Sequence, residues 1–206
     1  MSEVAVIHVV DDDESLRMAL VRLLEALGHE ARGYATTGDF LLHLPEDRHG
    51  CVLLDVQLPG PSGLELQAGL HGKGVALPVI VMTGHPDVAA SVAAMKAGAV
   101  DFLTKPIDRA ALVEAVGHAL RRDTERRAAA GAAAALKRLF EGLSPIERNV
   151  FDGIVMGRLN KQIADDLRIA ERTVKLHRAR LMEKLGVDSA AALGRLAERL
   201  AQAGGQ

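Results

Sequence analysis

The strongest constraint on the fold is a regular alternation of short apolar runs with amphipathic segments over the first 122 residues. Runs such as "VAVIHVV", "EARGY", "CVLLD", "LPVIVMT" and "VDFLTKP" are typical of strands. The segments between and after them, such as "SLRMALVRLLEAL" and "RAALVEAVGHALRR", are typical of helices. Five strand–helix repeats predict a doubly wound, five-stranded parallel sheet with helices on both faces. We therefore expect one α/β domain over residues 1–122.

The composition changes after residue 122. Residues 1–122 hold 10 Lys and Arg against 16 Asp and Glu, whereas residues 123–206 hold 15 against 11. Residues 123–142 are rich in alanine, the best helix former, which predicts a helical connector. Residues 143–206 show no strand pattern and predict a second, all-α domain of short helices. Because only the second half is basic, we expect it to meet a polyanion.

The chain shows no sign of secretion or membrane insertion. Its only cysteine, Cys51, lies in an apolar run and is expected to pack in the core, so a reducing compartment is favoured. The N-terminus lacks a basic region of the signal-peptide type, and no apolar stretch approaches the ~20 residues that a membrane span requires. We expect a cytoplasmic protein without a membrane partner.

Polar residues follow four of the five predicted strands. Asp11 and Asp12 follow the first, Asp55 the third, Thr83 the fourth and Lys105 the fifth. Because the carboxyl ends of parallel strands share one edge of the sheet, these side chains should converge. Converging carboxylates repel one another unless a cation such as Mg²⁺ neutralises them. The set suits attack of a carboxylate on phosphorus, with the lysine and the hydroxyl stabilising the transferred group.

Each of these residues also has a purely structural interpretation. An acid after a strand is commonly a helix cap or a solvated turn residue, and Asp12 or Asp13 could cap the helix that starts near Ser15. Capping would account for one acid and leave the rest of the set unexplained.

Four segments, "VVDDDES", "LLDVQLPGPSGLEL", "VIVMTGH" and "AMKAGAVDFLTKP", resemble the receiver domain of two-component response regulators. The resemblance covers residues 4–122 and implies a flavodoxin-like fold, Mg²⁺ as cofactor and a sensor histidine kinase as phosphoryl donor. It also implies a cis peptide bond between Lys105 and Pro106. The roles it implies are Asp55 as phosphoacceptor, Asp11, Asp12, Asp55 and the Gln57 carbonyl as metal ligands, Thr83 and Lys105 as phosphoryl-binding groups, and Thr83 and Phe102 as the conformational switch.

Residues 159–187 predict a helix-turn-helix, with a tight connection at residues 168–170. On a helical wheel the second helix turns Val174, Leu181 and Leu185 inward. Its outer face suits the major groove, with Lys175 and Leu176 able to reach base edges. The flanking Thr173, Arg180 and Lys184 are able to reach phosphates. Charge on an exposed helix is more often mere solvation, but the tight turn and the basic second half favour DNA. The predicted DNA-contacting residues are Arg172, Thr173, Lys175, Leu176, His177, Ala179, Arg180 and Lys184.

Residues 143–200 also resemble the LuxR-type helix-turn-helix domain, through "LSPIERNVF", "NKQIADDL" and "TVKLHRARLMEKL". Two departures stand out: Ile146 and Asn149 replace a usual ion pair, and Ala170 stands where serine often caps the recognition helix. The two domains together resemble response regulators of the FixJ/NarL type. This implies a homodimer on phosphorylation and RNA polymerase as a partner. The dimer contact is expected on the face bearing Val88, Val92, Met95 and Val100.

The function predicted is that of a phosphorylation-controlled transcription factor, not an enzyme, with slow hydrolysis of its own phosphate expected in the receiver. A phosphatase or hydrolase with Asp55 as nucleophile is the enzymatic rival, but it would need a second acid two residues later, where Gln57 stands. A receiver that only passes on phosphate or docks partners is the other rival. The groove-shaped helix argues against it.

Overall fold

The computed structural model describes residues 4–44, 49–59, 69, 75–84 and 94–204. It divides into two compact units, residues 1–127 and residues 128–206. The first unit contains a five-stranded parallel sheet with strand order β2-β1-β3-β4-β5. The strands are β1 (Val6–Val10), β2 (Glu30–Tyr34), β3 (Gly50–Asp55), β4 (Val79–Thr83) and β5 (Asp101–Thr104). The predicted doubly wound sheet is confirmed.

Helices α1 (Glu14–Ala26), α2 (Thr37–Leu42) and α3 (Arg109–Glu141) accompany this sheet. Every residue of β3 is buried, and successive side chains enter opposite cores, as the pleat of a strand requires. Cys51 and Leu53 pack with Leu24 of α1 and Leu112 of α3, whereas Val52 and Leu54 pack on the opposite face with Phe40 of α2. An apolar run covered on both faces therefore gives the continuous hydrophobic strand predicted from the sequence.

Parts of two predicted helices lie outside the described residues. The strand–helix repeats predict one helix at residues 64–70, of which only Gly69 is described, and another at residues 87–98, whose described part starts at Ala94. Met95 is 51% exposed, whereas Val100 is only 6% exposed and belongs to the core. The expectation that Val100 lies on a contact surface is wrong, because its side chain is buried in the hydrophobic core. Val88 and Val92 lie outside the described residues.

A fully buried carboxylate, that of Asp123 on α3, lies at the amino edge of the sheet. Its Oδ2 accepts the amide of Gly50 at 3.1 Å, and its Oδ1 accepts the guanidinium of Arg126 at 2.6 Å. Gly50 has φ +136°, and a Cβ there would lie 1.8 Å from the carbonyl oxygen of Val6. Only glycine fits this start of β3. The burial of Cys51, together with the Asp123 charge, raises the pKa of the Cys51 thiol to about 12.

The second unit is all-α. Its helices after α3 are α4 (Pro145–Val155), α5 (Asn160–Leu167), α6 (Glu171–Leu185) and α7 (Ala190–Gly204). They enclose one apolar core that includes Val150, Ile163, Leu181 and Leu193. The connector predicted from the alanine-rich segment is helical, since α3 runs to Glu141. The all-α second domain and its helical linker are thus confirmed.

Short connections fix the order of these helices. Helix α4 begins with a capping box in which the Ser144 side chain accepts the Glu147 amide and the Glu147 carboxylate accepts the Ser144 amide. Helix α5 ends at Leu167, its C-cap Arg168 is in the left-handed conformation with φ 53°, and α6 begins three residues later at Glu171. The tight turn expected for a helix-turn-helix is therefore present.

Candidate functional sites

The carboxylates predicted to converge do so at the carboxyl edge of the sheet. In the β1–β3 register Val10 pairs with Leu54, so that the residues that follow, Asp11 and Asp55, lie side by side. One carboxylate oxygen each from Asp11, Asp12 and Asp55 lies within 4.8 Å of the others. Asp11 and Asp55 are buried, and Asp12 is exposed. The cluster is therefore open to solvent on the side of Asp12.

Lys105, which follows β5, bridges the two buried acids. Its Nζ lies 2.7 Å from Oδ2 of Asp11 and 2.7 Å from Oδ2 of Asp55. Burial alone would lower the pKa of Lys105, but its hydrogen bonds to the two carboxylates outweigh burial and raise it. For Asp11 burial has the opposite effect and raises the pKa, because burial disfavours the charged form of each group. The contact with Lys105 acts to lower the pKa of Asp11. The ammonium is thus held charged at the centre of the cluster.

The neighbouring strand ends complete the edge. Thr83 is the last residue of β4 and is buried, and its carbonyl accepts the amide of Lys105 at 2.7 Å. The Lys105–Pro106 bond is cis, as the receiver resemblance implies. The backbone amide of Gln57 donates a hydrogen bond to Oδ1 of Asp55 at 3.1 Å, which orients that carboxylate. Phe102 on β5 is half-buried and packs against the core on the Val52 and Leu54 face.

Helix capping uses a different acid from those in the cluster. The Asp13 side chain accepts the amides of Ser15 and Leu16 and so caps α1. Asp12 is therefore not needed as a cap and lies with Asp11 and Asp55. A set of carboxylate oxygens matches the ligands that Mg²⁺ prefers, so the residues fit a hard divalent cation. Asp11, Asp12 and Asp55 would hold it, and it would supply positive charge toward an incoming phosphoryl group.

The sequence reasoning missed Arg17, although it touches this cluster. Its Nη1 donates to the carbonyl oxygen of Asp11 at 2.6 Å and lies 3.4 Å from that of Asp12. A contact between a side chain and backbone carbonyls leaves no residue-type signature in a single sequence.

The second candidate site is the outer face of α6. Val174, Leu181 and Leu185 are buried, which confirms the predicted inner face of this helix. Leu176 is a large apolar side chain and is 50% exposed. Thr173 and His177 are half-buried, and Nδ1 of His177 is buried without a hydrogen-bond partner in the described part of the chain. The other predicted contacts are exposed: Arg172, Lys175, Ala179, Arg180 and Lys184.

Two of the predicted DNA-contacting lysines form ion pairs within the domain. Lys175 lies 3.1 Å from Glu171 one turn earlier, in a pair whose side chains are largely exposed. Lys184 lies 2.7 Å from Glu147, whose side chain is only 4% exposed. The phosphate contact predicted for Lys184 stays a prediction. The ion pair of Lys184 with Glu147 argues against this contact, because it engages the ammonium within the domain.

Glu147 links the start of α4 to α6 through its hydrogen bonds. Its carboxylate accepts hydrogen bonds from the Lys184 ammonium and from the amide and hydroxyl of Ser144. The Lys184 bond, followed by the Ser144 amide, lowers the pKa of Glu147 to about 2. The spacing of Ser144 and Glu147 is the sequence signature of a capping box and could have flagged the glutamate. Its pairing with Lys184 is long-range and could not have been flagged.

Helix α6 starts without a side-chain cap. Its N-cap is Ala170, and no side chain there accepts an orphan amide. This confirms the departure noted at this position in the sequence. At the middle of the helix, Arg178 donates to the Asn160 side chain at 3.2 Å, which ties α6 to α5.

The fold and its two sites define a regulator made of an acidic α/β domain and a helix-turn-helix domain. Family models agree: residues 7–117 match the response regulator receiver domain, and residues 141–197 match bacterial regulatory proteins of the luxR family. The chain therefore belongs to the response regulators that carry a LuxR-type DNA-binding domain. This pair of domains implies DNA and a histidine kinase as partners.

Curated relatives align along most of this chain. It is 43% identical over 198 residues to the transcriptional regulatory protein FixJ of Azorhizobium caulinodans, covering 96% of this chain and 93% of that protein. It is 42% identical over 196 residues to nodulation protein W of Bradyrhizobium diazoefficiens, covering 95% of this chain and 86% of that protein. Both alignments thus span the two domains of this chain, and the name of FixJ describes a transcriptional regulator.

Solved structures give the same result. The response regulator StyR matches with a TM-score of 0.83 at 41% identity, over 96% of this chain and 100% of that one. Full-length FixJ from B. japonicum matches with a TM-score of 0.59 at 36% identity, over 96% of this chain and 98% of that one. Within the described residues, none of the helices combines the length and apolarity that crossing a bilayer would demand.

Proposed function

We propose that Asp55 accepts a phosphoryl group from a histidine kinase and that the phosphorylated chain dimerises and binds specific DNA sites to control transcription. The observation that carries the proposal is the placement of Lys105 against both Asp11 and Asp55 beside the exposed Asp12. Such a cluster suits transfer of a charged group to a carboxylate, with Mg²⁺ as the cation that its oxygens prefer.

The transfer would join an Asp55 carboxylate oxygen to phosphorus while the bond from phosphorus to the kinase imidazole breaks. Lys105 would offset the negative charge that the transferred oxygens bring, and the Thr83 hydroxyl would donate a hydrogen bond to one of them. The backbone amide of Gln57, which donates to Oδ1 of Asp55, would hold the carboxylate in place during attack. The backbone carbonyl of Gln57 would help to hold the cation. Slow hydrolysis of the resulting acyl phosphate would reset the protein.

Phosphorylation would act on the second site by bringing two recognition helices together. A phosphoryl group on Asp55 that accepts a hydrogen bond from the Thr83 hydroxyl would shift Phe102, which is only half-buried and so has room to move. This would favour a dimer through the face that exposes Met95, because a ligand shifts an equilibrium only by its differential affinity for the two states. Two helices related by a dyad read two half-sites, which one helix alone cannot do.

On DNA, Lys175 and Leu176 would reach base edges in the major groove. The exposed Leu176 supports this assignment, because an apolar side chain there suits a thymine methyl group better than it suits water. Arg172 and Ala179 share this outer face, and the flanking polar groups Thr173, His177 and Arg180 would contact the phosphate backbone. RNA polymerase would be the final partner at the promoter.

Phosphorylation is tested by incubating the full chain with acetyl phosphate and Mg²⁺ and measuring its intact mass. The wild type should gain one phosphoryl group and Asp55→Asn should gain none. Asp13→Asn is the matched control, because Asp13 is a neighbouring acid that serves as a helix cap. Equal labelling of the wild type and Asp55→Asn would refute the proposed phosphoacceptor.

DNA recognition is tested by selecting sites from a random duplex pool with the phosphorylated chain. Lys175→Ala should relax the preference at one base position by about 1–3 kcal/mol. Arg199→Ala also removes one exposed charge, but from α7, and should leave the selected consensus unchanged. An unaltered consensus with Lys175→Ala would show that this residue does not read bases.

A further inference from the structure

Arg17, in the second turn of α1, reaches back over the loop that carries the candidate metal ligands. Its Nη1 donates to the carbonyl oxygen of Asp11 at 2.6 Å, and the carbonyl of Asp12 lies at 3.4 Å. A guanidinium stays charged and offers several donors in a rigid plane, which suits it to gather neighbouring acceptors. The backbone oxygens of both aspartates are thus drawn toward α1.

The other hydrogen-bonding groups of the loop are also engaged. The Asp11 amide donates to the carbonyl of Tyr34 at 3.1 Å, which extends the β1–β2 ladder by one residue. Oδ1 of Asp11 accepts the Asp13 amide at 3.0 Å, and Asp13 in turn caps α1. With the Arg17 contact, Asp11 is held at its amide, its carbonyl and one carboxylate oxygen. Its Oδ2 remains directed at Lys105 and the cluster.

Strand β2 supplies a seat for the stem of Arg17. A Cβ on Gly33 would lie 3.0 Å from Cγ and 3.2 Å from Cδ of Arg17, closer than ordinary packing allows. The φ angle of Gly33 is not positive, so its backbone conformation does not require glycine. The missing side chain instead makes room for the arginine, which crosses β2 at this point to reach the loop.

We propose that Arg17, seated on Gly33, is a positioning residue that holds Asp11 and Asp12 in the geometry needed to bind a divalent cation. This inference rests on the proposed function of the acid cluster. Positioning and charge predict opposite effects. If Arg17 acted only as a nearby positive charge, its removal would tighten cation binding, whereas if it orders the loop, its removal weakens binding.

The test measures Mg²⁺ affinity of the full, unphosphorylated chain by calorimetry. Arg17→Met keeps the stem and removes the donors and the charge, and it should weaken Mg²⁺ binding about tenfold, as loss of groups that orient ligands does. Arg17→Lys should lie between Arg17→Met and the wild type. Arg22→Met, an equal loss of charge from an exposed position on the same helix, is the control and should change the affinity less than about twofold.

Gly33 provides an independent arm. Gly33→Ala leaves the guanidinium intact but displaces its stem, so it should weaken Mg²⁺ binding in the same direction. The double variant Gly33→Ala/Arg17→Met should be no weaker than Arg17→Met alone, because both changes act through one contact. In labelling with acetyl phosphate, the Mg²⁺ concentration for half-maximal rate should rise while the rate at saturating Mg²⁺ is retained.

Unchanged or tighter Mg²⁺ binding in Arg17→Met would overturn the inference. If that variant does not fold, as judged by circular dichroism, Arg17→Lys and Gly33→Ala decide, and wild-type affinity in both would overturn it. Failure of the proposed function is a separate result. It would appear as labelling of Asp55→Asn, whatever the Mg²⁺ affinities of the Arg17 variants.

Discussion

The pair formed by Lys184 and Glu147 gives the most direct test of how α6 is used. Lys184→Met keeps most of the side-chain length but leaves the Glu147 carboxylate, 4% exposed, with only its Ser144 hydrogen bonds. The drop in the pKa of Glu147 from 4.5 to about 2 corresponds to at most ~3.5 kcal/mol of stabilisation of the ionised form. Lys184 is the largest of several causes, and its side chain is 46% exposed, so solvent screening reduces the expected loss to ~1–2 kcal/mol.

Hydrogen exchange with mass spectrometry on the full chain measures this loss in the DNA-binding unit itself. Amides of α4 and α6 should exchange faster in Lys184→Met by the factor that ~1–2 kcal/mol implies, about 5–30-fold. Lys175→Met is the matched control, because its pair with Glu171 is an exposed pair one helical turn apart, worth ~0.3–0.5 kcal/mol. Equal protection in the two variants would refute a structural role for the Lys184 pair.

The pH dependence has a definite sign. The folded-state pKa of Glu147 is depressed, so its contribution is present above the unfolded value of 4.5 and is lost as the pH falls toward about 2. The thermal stability of the wild type and of Lys184→Met should therefore converge as the pH is lowered from neutrality through this range. Measurements of DNA affinity would reveal the alternative role of Lys184. If Lys184→Met showed a flatter salt dependence of DNA binding and unchanged hydrogen exchange, Lys184 would contact a phosphate instead of stabilising the domain.

Three further outcomes follow from local geometry. Ala170→Ser should supply the missing cap of α6 and raise the unfolding free energy of that unit by ~1 kcal/mol, measured by hydrogen exchange, and an unchanged value would contradict the capping argument. Gly50→Ala should destabilise the receiver by ~3 kcal/mol or more, because its Cβ would meet the Val6 carbonyl, and a wild-type melting profile would refute this. Cys51 should resist iodoacetamide at pH 8 until the chain is unfolded, since its pKa is about 12 and its side chain is buried, whereas rapid native-state labelling would exclude that environment.

The edge of the sheet was predictable because its signals are local. Each functional group follows a recognisable strand, and parallel strands put all their ends together, so Asp11, Asp55 and Lys105 could be brought into contact from the sequence alone. The structure confirms that they meet. The same logic placed Val174 and Leu181 on the inner face of α6, because helical periodicity depends only on neighbouring residues.

The unpredicted features depend on distant contacts. Lys184 was assigned outward from the wheel of its own helix, but its partner Glu147 lies 37 residues earlier. A helical wheel gives the direction of a side chain and contains nothing about what a neighbouring helix offers it. Arg17 escaped notice for a related reason, since its acceptors are backbone carbonyls. Such contacts are specified by the packed fold and not by residue type.

The tie between Asp123 and Gly50 matters to anyone who wishes to exchange domains in this protein. Asp123 is separated by 73 residues from the amide it accepts, yet it belongs to the first compact unit, which extends to residue 127. A receiver fragment or chimera cut at Arg122 would lose the acceptor for the Gly50 amide at the start of β3. A splice made after Arg126 would keep this bond and its guanidinium partner, so a receiver transplanted onto a new output module should carry those extra residues with it.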